Sequence, residues 1–199
     1  MTTALVSRSW RAGRRLALAL LLLPAIVQAA DWNVDQLMGV LAQTRSGRAS
    51  FVERKSIAML DKPVESSGEL LFNAPHHLEK RTLKPKPETM VLDNGTLTIE
   101  RGRQKHTLQL ADYPELAAFI DSIRATLAGD RQALDRNYRL SLDGGSENWT
   151  LQLLPADEKM QAVVRRIRIS GARDAVSRIE IVQADGDSSL MLVEKLPSP

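Results

Sequence analysis

The side chains that could carry out chemistry are few in this 199-residue chain, and they stand in no recognised catalytic pattern. Cysteine is absent, which excludes disulfides, thiolate metal ligands and cysteine nucleophiles. The three histidines are His76 and His77, which follow Pro75 in a predicted turn, and His106, in a predicted strand. There is no Gly-x-Ser-x-Gly elbow, no His-Glu-x-x-His pair and no glycine-rich phosphate loop followed by lysine. The sequence therefore predicts a protein without enzymatic activity, cofactor or metal site.

The basic character of the chain is concentrated at its N-terminus. Four arginines between Arg8 and Arg15 precede the apolar run Leu16–Leu23, and Val27 and Ala29 provide a small-residue cleavage site. This order is typical of a secretory signal peptide, residues 1–29, with cleavage after Ala29. A retained membrane anchor is the alternative.

No acidic residue lies in residues 1–29, so their removal changes the formal net charge from +3 to −1. A near-neutral chain has little attraction for phosphate backbones, and we expect no nucleic-acid partner.

Further basic residues cluster in predicted strands, as in Lys80-Arg81 and Arg165-Arg166. Alternating charges in a strand most often form a solvated outer face, which is the interpretation we favour. The alternative is a docking patch for an anionic partner or for phospholipid headgroups.

Hydrophobic periodicity predicts two amphipathic helices. The first follows Asn33, an N-cap whose spacing to Gln36 is that of a capping box. The second is predicted between Asp112, as N-cap, and Gly129, as C-terminal stop, because apolar residues recur there with the 3.6-residue period.

The remaining apolar pattern alternates with period two and predicts about ten strands. The first is predicted from Phe51 to Leu60, Gly68 is a possible β-bulge, and Asn94-Gly95 between apolar runs is a strong hairpin signal. Short connections favour an antiparallel sheet over repeated βαβ units. A sheet of this size must curl or close, and amphipathic helices need an apolar surface to cover. We therefore predict a mainly β fold with α-helices, a strongly curved antiparallel sheet covered by amphipathic helices, in a single domain of residues 30–199.

Three segments resemble a known family. They are Ala49–Glu53, Ser67–Pro75 and Met90–Leu97, and their order and spacing are similar to those of the periplasmic outer-membrane lipoprotein carriers, the LolA-like proteins. The resemblance implies an incomplete β-barrel closed by helices, with acyl chains held in a hydrophobic cavity. It also implies a periplasmic location, a monomeric carrier, an acylated lipoprotein or other lipid as cargo, an inner-membrane donor complex and an outer-membrane acceptor. One departure marks a divergent member: Ala74 replaces the basic residue that main carriers have before the proline.

On a curved sheet under a helix, one apolar set would suit an acyl-chain cavity, although each member could be ordinary core. Apolar walls bind such chains by desolvation, worth roughly 0.8 kcal/mol for each buried methylene. The predicted cavity residues are Phe51, Leu70, Phe72, Leu78, Met90, Leu92, Leu97, Ile99, Leu116, Phe119, Ile120 and Ile123.

Three hypotheses follow from the sequence. The first is a soluble periplasmic carrier or chaperone that moves lipid-modified cargo toward the outer membrane. The second is a periplasmic protein-binding or sensor domain that uses the same fold without lipid transport. The third is an exported hydrolase whose active site is assembled only by folding.

Overall fold

The computed structural model describes residues 32–197, in which one antiparallel sheet of eleven strands curls without closing. The predicted signal peptide and its cleavage site lie outside the described residues. Within residues 32–197 no helix has the length and apolar character needed to cross a membrane. The strands are β1 Ser46–Ser56, β2 Val64–Asn73, β3 His77–Lys84, β4 Glu88–Asp93, β5 Thr96–Arg101, β6 Gln104–Gln109, β7 Tyr138–Gly145, β8 Asn148–Pro155, β9 Val164–Ala172, β10 Ala175–Gln183 and β11 Ser188–Lys195.

The sheet consists of two meanders that meet at its centre. Strands β1 to β6 run outward in chain order on one side, and β11 back to β7 run outward on the other. The seam is the antiparallel pairing of β1 with β11, from Ala49 opposite Lys195 to Ser56 opposite Ser188. The predicted curved antiparallel sheet and open half-barrel are therefore confirmed, with eleven strands instead of about ten.

In residues 32–197 one helix precedes the first strand and three lie between strands, and two of these four helices are short. The predicted capping box is confirmed, since Asn33 Oδ1 accepts a hydrogen bond from the backbone N–H of Gln36 and the Gln36 side chain accepts one from the backbone N–H of Asn33. The helices are α1 Val34–Leu41, α2 Pro114–Ala128, α3 Arg131–Asp135 and α4 Glu158–Gln161.

Helix α2 begins later than predicted. Asp112 lies in a 3-10 turn and Tyr113 is the N-cap, because Pro114 occupies the first helical turn, where its missing N–H has no intrahelical acceptor to lose. The predicted stop is correct: Gly129 has a φ of 66°, the left-handed conformation that glycine adopts without strain.

Strand β1 spans Ser46–Ser56 and not the predicted Phe51–Leu60. Its first residues have weak β propensity, but their backbone pairs with β2 from Ser46 and also with β11 from Ala49, and this pairing overrides that propensity. An irregularity lies beside Gly68, but the extra residue is Leu83 of β3 and not Gly68 itself, since Ser67 pairs with Lys84 and Gly68 with Thr82. A Cβ atom at Gly68 would stand 1.9 Å from the carbonyl oxygen of Arg81, so only glycine fits there.

Two hydrophobic clusters hold the sheet and the helices together. The larger one lies beneath β7 to β10, where Trp149, Leu151 and Leu153 are fully buried against α1, α3 and α4. The smaller one lies beneath β4 to β6 and receives Leu116 and Ile120 from α2. Because α2 contributes to both clusters, it bridges the concave face of the sheet and covers the strands between them.

Candidate functional site

A cavity of about 450 Å³ lies between helix α2 and the concave face of the sheet. Ligand-binding cavities commonly have volumes of roughly 300 to 1,000 Å³ and mostly apolar walls. The strands contribute one face by alternation, and α2 contributes Phe119, Ile120, Ile123 and Leu127. The cavity therefore has the size and the wall chemistry to enclose an apolar ligand.

Nine of the twelve predicted cavity residues line this wall, although ligand binding by them stays a prediction. They come from β2 to β5 and from α2, where their alternation or helical spacing turns them toward the same space. The nine are Leu70, Phe72, Leu78, Met90, Leu92, Leu97, Phe119, Ile120 and Ile123.

The other three predicted residues lie outside the wall. Phe51 has the correct strand parity and is only 2% exposed, but the ammonium of Lys80 lies over its ring, 4.9 Å from the centroid. Ile99 and Leu116 pack into the smaller cluster instead. Alternation selects the face of the sheet, and neighbouring side chains then decide which residues on that face are covered.

The C-terminal meander also contributes to the wall, which the sequence did not predict. Ile179 and Ile181 of β10, with Met191 and Val193 of β11, line the cavity opposite β2 and β3. Their alternation was visible, but it does not show that β11 pairs with β1. The long-range seam brings these strands to the cavity.

A polar cluster interrupts the apolar wall. Glu53 forms an ion pair with Lys80, and the Ser189 hydroxyl donates a hydrogen bond of 2.6 Å to Glu53 Oε1. The two charged side chains are 15% and 27% exposed. Lys80 is therefore an exception to the predicted solvated outer face, whereas its neighbour Arg81 is exposed. The sequence does contain a signal for this position: Lys80 lies two residues after Leu78 in the same strand, so both side chains are on the face that lines the cavity.

The ionisation of Glu53 reflects two opposing effects. Burial by itself would raise the pKa of Glu53, but the positive charge of Lys80 and the hydrogen bonds from Lys80 and Ser189 together lower it. The carboxylate is thus held in its charged form inside a largely apolar cavity. A paired, hydrogen-bonded charge of this kind avoids most of the penalty of burial.

This ion pair predicts a dependence of stability on pH. Because the pKa of Glu53 is lower in the folded state than its ordinary value of 4.5, its ionisation stabilises the fold above that pH. The contribution is lost as the pH falls through the folded-state pKa. We therefore expect the free energy of unfolding to fall more steeply below about pH 5 in the wild type than in Glu53→Gln, measured by urea denaturation across pH. Parallel curves would contradict this role for Glu53.

The opposite end of the cavity carries a second polar group. Asp174 Oδ2 forms a salt bridge of 3.1 Å with Lys195 Nζ and lies 3.5 Å from the hydroxyl oxygen of Thr44. The pKa of Asp174 is lowered, chiefly by the hydrogen bond from Lys195. Polar groups therefore stand at both ends of the apolar wall.

Helix α2 is fastened to the sheet beside the cavity by Arg124. This residue is 8% exposed, and its guanidinium donates a hydrogen bond of 2.9 Å to the carbonyl oxygen of Pro75 while pairing with Asp121.

The histidines lie at separate places in the fold. The turn that holds Pro75 also carries His76, which is exposed, and His77 begins β3. His106 lies in a strand, as predicted, and is exposed on β6. Among residues 32–197 no group of three histidine, aspartate or glutamate side chains is arranged to hold a metal ion.

Comparison with known proteins identifies the family to which this chain belongs. The family model described as outer membrane lipoprotein carrier protein LolA-like matches residues 25–195. The chain belongs to this LolA-like family. The suspected membership of a divergent LolA-like protein is therefore confirmed.

Two curated relatives of this LolA-like chain are named outer-membrane lipoprotein carrier protein. The protein from Methylibium petroleiphilum is 26% identical over 175 residues, which is 88% of this chain and 83% of the relative. The protein from Dechloromonas aromatica is 29% identical over 126 residues, 63% of this chain and 58% of the relative. A solved LolA superfamily protein from Nitrosomonas europaea aligns over 84% of this chain and 94% of its own length, at 10% identity with a TM-score of 0.46. Both curated relatives are named as carriers and not as enzymes.

Proposed function

We propose that this LolA-like chain is a periplasmic carrier that holds acyl chains of a lipoprotein, or of another lipid cargo, in the cavity beneath α2. The observation that carries the proposal is the mainly apolar wall formed by both meanders and the helix. The names of the two curated relatives support it. The carrier domain is residues 30–199, exported as a soluble monomer by a cleavable signal peptide of residues 1–29.

The wall chemistry suits a flexible chain. Aliphatic side chains such as Leu70, Ile123 and Val193 bind without directional demands, and Met90 and Met191 add unbranched side chains that adapt to irregular shapes. Binding then depends on desolvation and not on a recognised polar pattern. Cargo would be received from an inner-membrane donor and released to an outer-membrane acceptor, with no nucleic acid involved.

The proposal predicts that affinity depends steeply on acyl length. Each buried methylene contributes roughly 0.8 kcal/mol, so shortening a saturated fatty acid from sixteen to fourteen carbons should weaken binding about tenfold. Displacement of a fluorescent acyl probe from the purified protein measures this dependence. Native mass spectrometry after gentle purification should also show a retained acyl lipid.

Two results would contradict the carrier hypothesis. One is a folded protein, with a cooperative thermal transition, that binds no acyl probe and retains no lipid. The other is an affinity that does not change with chain length, because the chain would then not be desolvated in the cavity. In either case the protein-binding hypothesis replaces it.

A further inference from the structure

The charged side chains of the cavity wall are almost all internally paired. Arg48 pairs with Glu69 at 3.1 Å, Lys195 with Asp174 at 3.1 Å, and Lys80 with Glu53. Lys55 also lines the cavity, but no carboxylate of residues 32–197 lies within salt-bridge distance of its ammonium. One positive charge in the wall is therefore left without a partner.

Lys55 stands at a defined place in the wall. It lies two residues beyond Glu53 on β1, roughly 7 Å along the strand and on the same face. Its direct neighbour across the seam is Ser189 of β11, and Gln183, at the end of β10, also lines the cavity. The ammonium of Lys55 and the amide of Gln183 thus offer hydrogen-bond donors at the end of the wall where β1 and β10 terminate.

The paired charges nearby do not neutralise Lys55. The single carboxylate beside it, Glu53, already accepts from Lys80 and from Ser189. The charge of Lys55 contributes to lowering the pKa of Glu53, but as a smaller effect than Lys80. Lys55 and Lys80 are positive and Glu53 is negative, so this end of the cavity has a net charge of about +1. The apolar surroundings strengthen the attraction of Lys55 for an anion.

We propose that Lys55, with Gln183, binds the anionic head of a single-chain amphiphile, a carboxylate or a phosphate monoester, whose tail occupies the apolar wall. This inference rests on the proposed acyl-binding function and adds a preference for the head of the ligand. Hydrogen bonds to charged groups are shorter and stronger than neutral ones, so the head should contribute to affinity as well as to orientation. The tail would then extend from Lys55 toward α2.

The test compares ligands with one tail and four heads. Dodecanoate, dodecyl phosphate, dodecan-1-ol and dodecyltrimethylammonium compete against a fluorescent acyl probe on the purified mature protein, residues 30–199. The two anions should bind about tenfold more tightly than the alcohol, and the cation should bind most weakly. A difference between the two anions identifies which head the site prefers.

Variants assign the preference to Lys55. Lys55→Gln should remove the advantage of the anions over the alcohol while leaving alcohol affinity unchanged. Lys86→Gln removes the same charge from an exposed loop outside the cavity and should change neither. Lys55→Glu should reverse the order of the anions and the cation.

The outcomes separate this inference from the carrier proposal. If the alcohol and the anions bind equally to the wild type, and Lys55→Gln changes nothing, the head-group inference is wrong and the acyl cavity stands. If no twelve-carbon or sixteen-carbon ligand displaces the probe, the carrier proposal itself fails. Equal losses in Lys55→Gln and Lys86→Gln would reduce the effect to general surface charge and overturn the assignment to Lys55.

Discussion

We expect Ile120→Glu to lower the affinity of the cavity for an acyl ligand at least a hundredfold. Ile120 lines the cavity from α2 and packs against the smaller cluster beneath β4 to β6, where the ligand methylenes would contact it. A carboxylate at this place would stand among the apolar side chains of the wall, and the ligand would desolvate it. Burying an unpaired charge costs several kcal/mol, and each 1.4 kcal/mol corresponds to a tenfold loss in affinity. Probe displacement measures the effect.

The matched control introduces the same charge on the other face of the sheet. Leu192 of β11 is 52% exposed and does not line the cavity, so Leu192→Glu should bind the probe like the wild type. Both variants are checked for a cooperative thermal transition, because unfolding alone would also abolish binding. A folded Ile120→Glu that binds with wild-type affinity would exclude this cavity as the acyl site.

The largest effect on stability is expected from Trp149→Ala, which should lower the free energy of unfolding by about 3 to 5 kcal/mol. Trp149 is fully buried in the larger cluster, and its indole N–H donates a hydrogen bond of 3.0 Å to the carbonyl oxygen of Arg173. The packing is close: a Cβ atom at Gly171 would come within 2.6 Å of the Trp149 ring. Truncation leaves both a cavity and an unpaired carbonyl. Urea denaturation measures the loss.

The control for this variant separates stability from binding. Trp149 does not line the cavity, so the folded fraction of Trp149→Ala should retain acyl affinity. Trp149→Phe keeps most of the buried ring area and should lose less stability than the alanine variant. A loss below about 1 kcal/mol for alanine would show that this cluster is not the main source of stability.

Local patterns in the sequence predicted most of the fold because each is decided by near neighbours. The capping box at Asn33, the hairpin at Asn94-Gly95 and the stop at Gly129 depend only on adjacent residues. Helix α4 was missed because it has a single turn, and its N-cap, Asp157, was hidden between two strand patterns. Such short helices bury too few residues to leave a periodic signal.

The site was predicted in part, and the failures have a common cause. Alternation correctly assigned Leu70, Phe72 and Leu78 to one face, but Lys80 was predicted to be solvated because of its charge, although it has the same parity as Leu78. A charged side chain in a strand is usually solvated, and only the tertiary pairing of two opposite charges makes its burial tolerable. That pairing joins β1 to β3 across β2, which no local pattern contains.

The seam between β1 and β11 has a consequence for how the chain folds. Strand β1 is synthesised first, but its neighbour on one side is β11, which is synthesised last. Ala49 of β1, for example, pairs with Lys195 of β11. Until then one edge of β1 is open, and an open edge is a template for pairing with another chain. Contacts so distant in sequence are also formed slowly, because the intervening chain must be ordered first. A nascent chain of this topology therefore passes through a stage vulnerable to aggregation, which ends only when β11 closes the centre of the sheet.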